Sequence, residues 1–96
     1  MTLEQLQKAI IEVLSEIQTI SGRELIPMNG LTCPIGELPG FDSLNGIEAT
    51  LQISEKLGYD FPVDNLLVDD AGNRALTIRE VAERACQLMD AKTVTK

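Results

Sequence analysis

Ninety-six residues, 44% of them apolar, suffice for one small hydrophobic core, and no apolar run approaches the length of a membrane span. Aromatic residues make up only 3% and tryptophan is absent, so the core must come from Leu, Ile, Val and Ala, which suits helix packed on helix. A net charge of −7 disfavours nucleic acid and anionic membrane as partners, and the lack of histidine removes the usual general base.

Leu3, Leu6, Ile10, Val13, Ile17 and Ile20 recur at three- and four-residue steps, which predicts a helix over 3–20. Thr2 with Gln5 has the capping-box pattern, and Ser21-Gly22 supplies the stop. The stripe reads as a core face, because fewer than three heptads are too short to argue for a coiled coil. Residues 21–42 form a long connection punctuated by Pro27, Gly30, Pro34, Gly36, Pro39 and Gly40. Leu25, Ile26, Met28, Leu31, Ile35, Leu38 and Phe41 can pin it to the helices, so an ordered, functional loop is expected.

A second helix is predicted over 43–57, stopped by Gly58, with Ile47, Thr50, Ile53, Ser54 and Leu57 turned inward. Leu44, Glu48, Leu51 and Glu55 fall on a narrow stripe elsewhere, which reads either as a docking surface or as the edge of the core. Gly46 costs about 1 kcal/mol in a helix interior, so either another backbone approaches closely or the helix is soft there. Pro62 keeps Phe61 out of helix, Asp64 can cap a short helical turn over 65–68, and residues 69–73 make a turn. That turn lacks the ligand spacing of a calcium loop, and no metal site is expected. Thr77 and Glu80 form a second capping box before a helix whose Ile78, Val81, Ala82, Ala85 and Met89 share one face. The expected fold is therefore an all-α bundle of three main helices plus one short helix, with a long ordered loop between helices one and two. One domain spans 1–90, followed by a frayed polar tail over 91–96. Cys33 and Cys86 have no CxxC or histidine partner, which favours free thiols over zinc or a disulfide. No signal-peptide pattern precedes the first helix, and a cytoplasmic location is expected.

The charge is unevenly placed. Eight acids and one base, Lys56, lie between Glu37 and Asp70, while the flanks are balanced. This acidic third contains Asp42-Ser43-Leu44, where the loop gives way to the second helix. A helix N-terminus has unpaired first-turn N–H groups and a dipole that favours anions, so a phosphate ester on Ser43 would be well placed. Without a histidine or a nucleophile-elbow pattern, Ser43 is an acceptor of chemistry rather than a catalytic nucleophile, and no catalytic residue is expected. The acidic segment fits partners with basic patches, or else it is only a solvated face.

Asp42-Ser43-Leu44 with Glu48 five residues after the serine, followed by Leu57, Phe61-Pro62 and Thr77-Ile78, resembles an acyl carrier protein over nearly the whole chain. The resemblance implies that Ser43 carries a covalent 4′-phosphopantetheine arm attached by a phosphopantetheinyl transferase, which Asp42 helps to position with its metal-bound coenzyme A. Acyl groups would travel as thioesters on that arm. Leu44, Glu48, Leu51 and Glu55 would meet acyl-transferring, ligating or condensing enzymes, and Ile47, Ile53, Leu57, Leu66, Leu67 and Ile78 would line an acyl shelter. Such a protein is a monomer with no membrane insertion and is not itself an enzyme. Asn45 and Gly46 depart from the acidic and helix-favouring residues usual after the leucine, which points to a specialised lipid, polyketide or lipopolysaccharide carrier. An aminoacyl or peptidyl carrier and an unmodified acidic interaction module are the alternatives.

Overall fold

The repeat of Leu6, Ile10, Val13, Leu14 and Ile17 lays one apolar stripe along α1 (Leu3–Ile20), and every one of these side chains is buried. The computed structural model describes residues 2–94 and places α1 against both α3 (Ser43–Leu57) and α4 (Ile78–Val94). A single turn, α2 (Pro34–Glu37), lies in the loop between α1 and α3 and is broken by Ile35 and Gly36, the latter at φ 110°. The all-α bundle of three main helices is thus present, with its short helix in the 21–42 loop and not over 65–68, and with a core drawn from all three main helices and from Leu38, Phe41, Phe61, Leu66, Leu67 and Leu76.

The helix ends follow their capping residues. Gln5 N donates to Thr2 Oγ1 at 3.1 Å and Thr2 N to Gln5 Oε1 at 2.9 Å, closing the first capping box. Glu80 N donates to Thr77 Oγ1 at 3.2 Å and Thr77 N to Glu80 Oε1 at 2.9 Å, closing the box ahead of α4. Gly58, in the left-handed region at φ 68°, ends α3.

The loop over 21–42 is ordered by specific bonds. Asn29 N donates to Thr32 Oγ1, Leu31 N to Asn29 Oδ1, and the first N–H groups of α4 donate back into the loop. Ile78 N reaches Thr32 O at 2.8 Å and Arg79 N reaches Gly30 O at 2.9 Å, so loop carbonyls satisfy donors that the helix itself leaves open. Leu38 and Phe41 are the buried anchors, with Ile26, Met28 and Ile35 packed at the core's edge. Leu25 and Leu31, expected as further pins, are exposed.

The segment over 65–68 is a turn rather than a helical one. Leu66 N is taken by Thr50 Oγ1 at 2.8 Å and Leu67 N by Asn65 Oδ1 at 3.0 Å. Val68 pairs with Ala75 in an isolated antiparallel bridge, and Arg84 from α4 donates to the carbonyls of Asn65 and Val68. Thr50 and Arg84 from outside, and the Asn65 side chain from within, hold the backbone groups of this segment. The same bonds make 59–76 a filler between α3 and α4. The backbone of α4 is helical to Val94, and residues 95 and 96 of the tail expected from Ala91 lie outside the described residues. Among the described residues no helix is long and apolar enough to cross a membrane.

Candidate functional site

Buried Phe41 anchors the entry to α3, and Asp42 follows in extended conformation as its N-cap. Asp42 Oδ1 accepts from Leu44 N at 3.1 Å and Asn45 N at 3.2 Å, while Asp42 N donates to Asn45 Oδ1 at 3.2 Å. The expectation of unpaired first-turn N–H groups is therefore corrected: the Asp42 carboxylate already occupies two of them. Ser43 stands at the first helical position, is exposed, and its hydroxyl makes no hydrogen bond to the described residues. Its carbonyl accepts from Asn65 Nδ2 at 3.1 Å.

Asn65 explains Gly46. A Cβ on Gly46 would stand 2.6 Å from Asn65 Oδ1 and 2.8 Å from Nδ2, so the helix needs glycine to admit that amide. The close approach comes from a side chain, not a backbone. One turn later the buried Thr50 hydroxyl donates to Gly46 O at 2.8 Å and accepts from Leu66 N, tying the 65–68 turn to α3. Gly46, Ala49, Thr50 and Ile53 form the inward face. Ile47, placed inward by its hydrophobicity, is 38% exposed instead, because Gly46, Ala49 and Thr50 take the inward face.

Four residues of the proposed partner stripe lie where the pattern puts them. Leu44 is 74% and Leu51 64% exposed, Glu48 and Glu55 are exposed, and neither glutamate joins an ion pair among the described residues. Lys56 turns away to Glu12 on α1 at 3.0 Å, which holds the Glu12 carboxyl below the usual glutamate range. Arg84 reaches Asp70 at 2.9 Å, so part of the acidic segment is neutralised by α4. Ile53, Leu66, Leu67 and Ile78, expected along an acyl shelter, are close-packed in the core. Both cysteines are free and half-buried, and burial raises the Cys33 thiol's pKa. Among the described residues no cluster of acids and cysteines could hold a metal ion.

No protein-family model, curated protein or solved structure matches this chain.

Three side chains near Ser43 were not anticipated. Gln18 carried a signal: it follows Leu14 by four residues, so a polar group had to fall on the inward side of α1. Asn65 gave only the general mark of a turn former. Arg23 gave none, since it belongs to a loop whose path no periodicity predicts. In chemical terms the site offers an exposed hydroxyl that no described residue bonds, and an apolar surface beside it flanked by carboxylates without an ion pair among the described residues.

Proposed function

We propose that this protein is a carrier whose Ser43 holds a 4′-phosphopantetheine arm and delivers acyl groups to partner enzymes, in a specialised lipid, polyketide or lipopolysaccharide pathway. The observation that carries the reading is the Ser43 hydroxyl: exposed, at the start of α3, and without a hydrogen bond to any described residue that could activate it. In the loading step Ser43 Oγ forms a bond to the phosphorus of coenzyme A's pantetheine phosphate. The pyrophosphate bond breaks, adenosine 3′,5′-bisphosphate leaves, and the serine proton passes to a base on the transferase. The residues present fit such a group, because no side chain covers Ser43 and the α3 dipole favours the new phosphodiester. Once attached, the arm supplies a terminal thiol for thioester chemistry.

The chain's own contribution is display. Asp42 fixes the first turn, Asn65 holds the Ser43 carbonyl, and Leu44 and Leu51 offer apolar contact beside Glu48 and Glu55. A partner with a basic rim around an apolar seat matches that surface.

Intact-mass measurement after incubation with coenzyme A, magnesium and a broad-specificity phosphopantetheinyl transferase tests the reading. Wild-type protein is expected to gain one arm and Ser43→Ala none. Unmodified wild type would make the chain an acidic interaction module, and a modified Ser43→Ala would move the attachment elsewhere. The cargo mass on protein isolated from its own cell separates acyl from aminoacyl or peptidyl groups.

A further inference from the structure

The last turn of α1, the end of the loop and the first turn of α3 meet at one guanidinium. Gln18 is fully buried, so both ends of its amide need partners. Its Nε2 donates to Pro39 O at 2.8 Å, which leaves Oε1 facing Arg23, whose Nη1 donates to it at 3.2 Å. The same Nη1 donates to Asn45 Oδ1 at 3.2 Å, and that oxygen also accepts from Asp42 N. The result is an unbroken run of hydrogen bonds from the carbonyl of Pro39 to the N–H of Asp42, with Arg23 at its centre.

Two features mark this arrangement as built. A Cβ on Gly40, at φ 69°, would stand 2.7 Å from Arg23 Nε, so glycine both makes the turn and lets the guanidinium lie on the backbone. Arg74, Arg79 and Arg84 each pair with a carboxylate, whereas Arg23 joins no ion pair among the described residues despite the acidic segment around it. A half-buried charge set on two neutral amide oxygens contributes direction more than Coulomb energy.

We infer that Arg23 is a positioning residue for the acceptor serine, acting through Asn45; this rests on the carrier reading. Asn45 Oδ1 has two donors, and together they fix how the Asn45 amide closes over the Asp42 backbone. With Arg23 removed, that amide keeps one bond and the first turn of α3 loses its link through Gln18 to α1, while Gln18 Nε2 still holds Pro39 O. The Asp42–Ser43 backbone sets where Oγ points. Transfer requires Oγ in line with the phosphorus under attack, and a displacement of about 1 Å can cost on the order of a hundredfold in rate.

Steady-state transfer from coenzyme A, with the carrier as varied substrate and the same transferase throughout, tests this. Arg23→Ala and Asn45→Ala are expected to lower kcat about tenfold or more with KM near wild type. Their double variant should fall no further than either single one, since both break the same run. Arg23→Lys, which keeps a donor at that place, should recover part of kcat. Lys56→Ala, which cuts the ion pair from α3 to Glu12 on α1, should leave kcat unchanged. Folded Arg23→Ala with wild-type kcat overturns the inference, as does a change confined to KM, which would make Arg23 a contact of the transferase. If Arg23→Ala does not melt cooperatively, Asn45→Ala and Arg23→Lys decide, and wild-type kcat in both overturns it. Wild-type protein that accepts no arm removes the carrier reading and the inference together; equal kcat for wild type and folded Arg23→Ala removes the inference alone.

Discussion

At Gly46 a methyl group would have nowhere to go. The amide it would strike, Asn65, is held by its own bonds to Ser43 O and Leu67 N, so it cannot swing aside without breaking them. Gly46→Ala gains about 1 kcal/mol of helix propensity. Overpacking a fixed neighbour costs about 1–3 kcal/mol, so a net loss of stability is expected by chemical denaturation. In an Asn65→Ala background the same substitution should become stabilising by about 1 kcal/mol, a change of sign that a double-mutant cycle reads directly. Gly46 announced itself as a local cost and left two explanations open. Neither names the actual neighbour, the Asn65 side chain from nineteen positions later, and no periodicity carries the information that it folds back onto the helix.

The helix that begins at Ser43 was legible in its bounds and its outer stripe, because capping chemistry and hydrophobic spacing are local. Its inner face was less so. A projection weighted by hydrophobicity favours Ile47, whereas Gly46 and Ala49 go inward for their size, leaving Ile47 beside Leu44 and Leu51 on an apolar outer surface. Fully burying a leucine of this kind contributes about 1.5–3 kcal/mol, so in the proposed docking the leucines would supply contact and the carboxylates orientation. Glu48→Lys and Glu55→Lys should each weaken binding to a basic partner about five- to tenfold at low salt, and less as salt rises. Their melting temperatures should stay near wild type, since neither side chain is paired within the described chain. A large drop in melting temperature at unchanged affinity would return both residues to a structural role. The failed expectation of a helical turn over 65–68 has a different origin. Its N–H groups are claimed by Thr50 and Asn65 side chains, a competition that only the folded arrangement reveals.

For the molecule as a whole, acid is the sharpest probe. Glu80 is held below the usual carboxylate range, first by the Thr77 N–H and then by Arg74, while Glu12 is lowered by Lys56 and Asp69 by the Asn73 N–H. Each lowered carboxyl contributes stability that is present above its ordinary value and is lost as pH falls through the lowered one. Thermal melts should therefore show wild-type stability declining between about pH 5 and pH 3. Glu80→Gln, which can still accept from Thr77 but does not titrate, should show a shallower decline. Protonation also relieves self-repulsion in a chain of net charge −7, an opposite effect shared by both proteins, so the difference between their slopes is the readout. The bundle itself was legible because three amphipathic repeats with caps leave few alternatives, while the path of the 21–42 loop depended on donors at the far end of the chain. Those donors, the Ile78 and Arg79 N–H groups, set a schedule. The loop leading to Ser43 cannot acquire its final bonds to them until residues 78 and 79 are in place. During synthesis, the serine emerges before the segment that helps to order its surroundings, so those surroundings reach their final form only in the finished domain.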